Sequence, residues 1–61
     1  MAKFTVQRFT RNNEWVYYRI IDNDSDRVVA DSFNINTLPI KLKKLRIRNY
    51  DEKITTRDQG G

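Results

Sequence analysis

Residues 15–21, WVYYRII, constrain the fold more than any other part of the chain. Aromatic and β-branched side chains crowd this run, and they fit the pleated, half-buried surface of a strand better than a helix. Strand alternation puts Trp15, Tyr17, Arg19 and Ile21 on one face and Val16, Tyr18 and Ile20 on the other. The second set is the more uniformly apolar. It is therefore the predicted core face, and the first set is the predicted display face.

The neighbouring segments continue the pattern. KFTVQRF at 3–9 alternates Phe4 and Val6 with Thr5 and Gln7. TRNNE at 10–14 is a polar break in which Asn12 and Asn13 best accept positive φ. DNDSD at 22–26 is a second polar turn. RVVADSF at 27–33 reads as a third strand, with Val28 and Ala30 opposite Val29, Asp31 and Phe33. Strand, turn and strand in succession predict an antiparallel meander.

After a connection at 33–39, the segment IKLKKLRIRNY at 40–50 has two readings. As a strand, Ile40 and Leu42 face one way, and Leu45 and Ile47 resume after a one-residue slip at 43–44, which a β-bulge would supply. As a helix, Thr37 is the N-cap, Pro39 lies in the first turn, and Leu38, Leu42 and Leu45 share one side. Residues 51–54 would then extend it. That helix leaves Ile40 and Ile47 near its opposite face, where a solvated helix of a small domain should not carry them. The strand is the favoured reading.

The expected fold is mostly β, a small antiparallel sheet of three or four strands. A curled sheet and a sheet backed by one C-terminal helix are its variants. The expected core is Phe4, Val6, Val16, Tyr18, Ile20, Val28, Leu42, Leu45 and Ile47. A single domain is expected over 1–58, with a flexible glycine-ended tail at 59–61. A chain of 61 residues buries only about 60% of its unfolded surface, so homodimerisation is a natural way to bury more.

Several chemistries are excluded or disfavoured. Without cysteine there are no disulfides, thiolate metal sites or cysteine nucleophiles. Without histidine the commonest neutral-pH base and zinc ligand are missing. Glu14, Asp31, Asp51 and Glu52 show no pairing across a cleft, and no glycine loop is placed to cradle a phosphate. Neither an enzyme nor a cofactor is expected. Asp22, Asp24 and Asp26 have the spacing that opens an EF-hand loop, but Arg27 and Phe33 stand where glycine and glutamate are needed. A solvated turn, with no metal, is the expectation. The start, MAKFTVQRF, lacks a signal peptide's apolar run, and no stretch approaches the roughly 20 apolar residues of a membrane span. Cysteine absence favours a cytoplasmic location.

The net charge of +4 is unevenly placed. Residues 1–37 carry five basic and five acidic side chains, and residues 38–61 carry seven and three. Lys41, Lys43, Lys44, Arg46 and Arg48 concentrate the excess. On a strand they would form a stripe of roughly 20–25 Å. Such a stripe gains affinity for phosphate backbones by counterion release, with little sequence preference. It also suits an acidic protein face, or an edge strand kept soluble by lysine. Trp15, Tyr17 and Arg19 form a second candidate group. Displayed on a sheet, they can stack on bases or anchor a protein contact. Covered by the C-terminal segment, they would simply extend the core. The expected function is non-catalytic binding of DNA or RNA, with the aromatics favouring single strands. The alternative is a small protein-binding inhibitor or a regulatory or assembly subunit.

Overall fold

The alternation at 3–9 and 15–21 becomes two paired strands in the computed structural model, which describes residues 2–56. β1 (Phe4–Arg11) and β2 (Glu14–Asp22) form an antiparallel hairpin. Asn12 and Asn13 join them with φ of 54° and 65°. Two successive positive-φ residues in a two-residue loop match the right-handed strand twist, and asparagine tolerates that region. β3 (Arg27–Ser32) pairs antiparallel with β2. The intervening turn holds itself together: Asp22 Oδ1 accepts from the Asp24 amide at 2.9 Å, and the Asp26 amide donates to the Asp22 carbonyl at 2.7 Å.

The chain then crosses the sheet. A 3-10 turn, Ile35–Thr37, leads into α1 (Leu38–Lys44), and β4 (Asp51–Thr56) follows. β4 lies beside β1 and runs parallel to it, giving the strand order β3-β2-β1-β4. The protein is thus mostly β, one open four-stranded sheet backed on one face by a helix. The sheet is mixed because the crossover brings its last strand in parallel. No helix among the described residues is long and apolar enough to cross a membrane. The expected tail at 59–61 and the expected domain end at 58 lie outside the described residues.

The strand expected at 40–50 is instead the greater part of α1 and the turn and connection after it. The physical reason lies in how the helix stops. The Arg46 amide donates to the Lys43 carbonyl at 3.1 Å, and the Ile47 amide donates to the Leu42 carbonyl at 2.9 Å. Arg46 sits between them with φ 57°. This is a Schellman ending, which reverses the chain and sets Ile47 against Leu42. Ile47 is therefore not stranded on a helix face. It drops into the core at 8% exposure, and only Ile40, at 56%, is left outside.

The core fills the space between sheet and helix. Val6, Tyr18, Ile20, Leu38 and Ile47 are buried together, with Phe4, Trp15, Ala30, Ile35, Leu42 and Tyr50 packed around them. Tyr18 keeps its hydroxyl satisfied inside this layer by donating to Thr37 Oγ1 at 2.7 Å, since the Thr37 hydroxyl donates to the Asn34 carbonyl. Three expected core residues are exposed: Val16, Val28 and Leu45. Val16 is excluded by a bulge. Phe9 pairs with Tyr17 and Thr10 pairs with Trp15, so Val16 has no partner of its own. A similar irregularity lies between Ile20 and Ile21, where Ala30 and Val28 are the successive partners. Leu45 is exposed because the helix ends there.

Candidate nucleic-acid interface

The five basic residues collect around one end of α1. Lys41, Lys43 and Lys44 occupy its last turn, where cations favour the exposed carbonyl end of the helix. Arg46 and Arg48 flank Ile47 in the segment beyond. Lys43, Lys44, Arg46 and Arg48 are exposed and Lys41 is half-buried. None of the five forms an ion pair among the described residues, where the one such pair is Arg8–Glu52. The cations form a cluster around a helix end rather than the expected linear stripe.

Beside this cluster a groove runs along α1. At one end Lys43, Arg46 and Arg48 surround an open concavity with Pro39, Leu42, Ile47 and Tyr50 on its walls. A second concavity continues past Leu38 to Trp15 and Arg8, and the two share Pro39, Leu42 and Tyr50. The Arg8 guanidinium lies 4.4 Å from the centre of the Trp15 ring and bonds Glu52 at 2.8 Å. The Trp15 Nε1 donates to the Tyr17 carbonyl at 2.9 Å. Trp15 is thus half-buried on the helix side of the sheet, not displayed beside Tyr17.

Tyr17 and Arg19 lie on the opposite face. Phe9, Tyr17 and Phe33 pack in a row with centroid separations of 5.3 and 4.6 Å. The Arg19 guanidinium covers the rings of Phe9 and Tyr17 at 5.1 and 5.8 Å, inside cation–π range. The Tyr17 hydroxyl donates to Asp31 at 2.7 Å. Phe33 remains 80% exposed at the end of this row. Together with Arg11 and Val16 these residues line a third concavity.

The expected site residues therefore divide in two. Lys43, Arg46, Arg48 and Trp15 line one groove, Lys41 and Lys44 lie on the same helix outside its lining, and Tyr17 and Arg19 belong to the other sheet face. Sequence reasoning missed Tyr50, Arg8 and Phe33. Tyr50 had a readable signal, since it is the one aromatic directly after the basic run. Arg8 had none, because only the pairing of β1 with β2 and β4 brings it near Trp15 and Glu52. The aspartates at 22–26 serve their own turn, and among the described residues no cluster is able to hold a metal ion. No family model, no curated protein and no solved structure matches this chain.

Proposed function

We propose that the chain is a small non-catalytic nucleic-acid-binding protein that grips phosphates with Lys41, Lys43, Lys44, Arg46 and Arg48. The observation that carries this reading is the clustering of five cations around one helix end, none of them ion-paired among the described residues. Helix-dipole compensation accounts for the three lysines but not for the arginines beyond the last turn. Arg46 also holds a left-handed backbone conformation at a position where glycine is the unstrained choice. A cation kept at that cost is consistent with a use for its charge. Cytoplasmic location belongs to the same proposal, on the absence of cysteine.

Fluorescence-anisotropy titration of labelled single-stranded DNA, duplex DNA and RNA at about 50 and 200 mM salt tests it. If three to five cations meet phosphates, duplex affinity falls about 40- to 500-fold between those salts. No binding at the lower salt would sink the proposal.

A second reading rests on a different observation, the row ending at Phe33. An exposed aromatic beside Tyr17 and Val16, on the face opposite the helix, has the chemistry of a protein contact. In this reading the protein is an inhibitor, or a regulatory or assembly subunit, or it dimerises through that face. Phe33→Ser should then abolish self-association or partner binding while leaving nucleic-acid affinity unchanged.

A further inference from the structure

The groove along α1 has features that a purely electrostatic grip does not need. Cations unpaired among the described residues guard one end, Lys43, Arg46 and Arg48, and the other end closes on Arg8, which is held by Glu52 and lies over Trp15. Its middle is apolar and aromatic. Pro39 and Leu42 form one side, and the half-buried Tyr50 lines both concavities. The one acidic side chain bonded at the Arg8 end, Glu52, is already neutralised by Arg8.

Duplex DNA offers such a surface phosphates and groove edges but no free base faces, because its bases are stacked on one another. A single strand offers phosphates and free base faces together, and base–aromatic stacking tolerates any sequence. The groove follows a helix about 10 Å long, which suits a segment of only a few nucleotides. We infer that this groove receives a short single-stranded nucleic-acid segment, with a base stacked on Tyr50 and its flanking phosphates on Lys43, Arg46 and Arg48. The inference rests on the nucleic-acid reading above and narrows it to unpaired strands. Charge complementarity selects the occupant: a cation-guarded groove suits a polyanion that also carries flat apolar rings. Tyr17 and Arg19, on the far face of the sheet, take no part.

Trp15 is the only tryptophan in the chain and lines the groove's far part, which shares Tyr50 with the cationic end, so its emission reports a strand lying along the groove. The experiment titrates the intact chain with an oligothymidylate and with a duplex of equal length, following Trp15 fluorescence and anisotropy together. The expected result is tighter binding of the single strand by about tenfold or more, with a change in Trp15 emission that the duplex does not produce. Tyr50→Leu should lower single-strand affinity by roughly 5- to 150-fold, in line with stacking losses elsewhere. Duplex affinity should stay the same. Tyr50→Phe, which keeps a stacking ring, should restore the single-strand preference. Equal, salt-sensitive binding of both nucleic acids, with silent Trp15 fluorescence in the unaltered chain, would overturn the groove and leave the phosphate grip standing. Binding of neither would overturn both.

Discussion

Trp15 and Tyr17 stand two residues apart on one strand yet serve opposite faces of the sheet. Trp15 packs toward the helix, and Tyr17 packs against Phe9 and Phe33 on the far side. The cause is the single unpaired residue between them, Val16. A residue inserted into one strand reverses the alternation from that point on.

Trp15 and Val16 should therefore respond to truncation in the opposite order from that implied by plain alternation. Trp15→Ala removes core contact and the ring beneath Arg8, and should cost about 2–3 kcal/mol, somewhat below a full core truncation. Val16→Thr, at 36% exposure, should shift stability by no more than about 0.5 kcal/mol. Urea denaturation of both variants checks the pair.

Arg46 makes a second prediction with two readouts. Its left-handed backbone is disfavoured for any residue with a Cβ, so Arg46→Gly should raise stability by about 0.5–1 kcal/mol despite glycine's larger entropy loss. Arg46→Ala should give no such gain. Both variants should bind nucleic acid more weakly, because each removes a cation from the cluster. Thermal denaturation and anisotropy on the same preparations separate the backbone effect from the charge effect.

The hydroxyl of Tyr18 links the central strand to the start of the crossover. Tyr18→Phe deletes its bond to Thr37 at the edge of the buried core, and should cost about 1 kcal/mol. Amide exchange in residues 34–38 should rise more than exchange in β1. A uniform rise across the chain would contradict a local role for this bond.

The legible parts of the fold are those governed by local chemistry. The first three strands follow from alternation and from β-branched and aromatic density, and the Asn12–Asn13 turn follows from the left-handed tolerance of asparagine. Ile47 shows where local pattern fails. It argues against a helix only if the pattern runs on past Lys44, whereas the turn at left-handed Arg46 ends the helix before Ile47 is reached. Sequence periodicity carries no sign of that reversal without the usual glycine. The Val16 bulge is similarly silent, since one extra residue in a strongly β run leaves the composition unchanged. At the site, the basic run was readable from charge alone. Its place beside Tyr50, at one end of a groove that reaches Trp15 and Arg8, depends on the crossover that lays residues 38–50 over the sheet, a tertiary relationship with no local signature.

The most direct test of the phosphate grip is the salt dependence of duplex binding for the unaltered chain and for the Lys43→Ala/Lys44→Ala double variant. The slope of log affinity against log salt should be shallower in the variant by about 1.8, two contacts at roughly 0.9 each, and its affinity at low salt should be lower. Identical slopes and identical affinities, in a variant that remains folded, would contradict the assignment of nucleic-acid binding to this helix end.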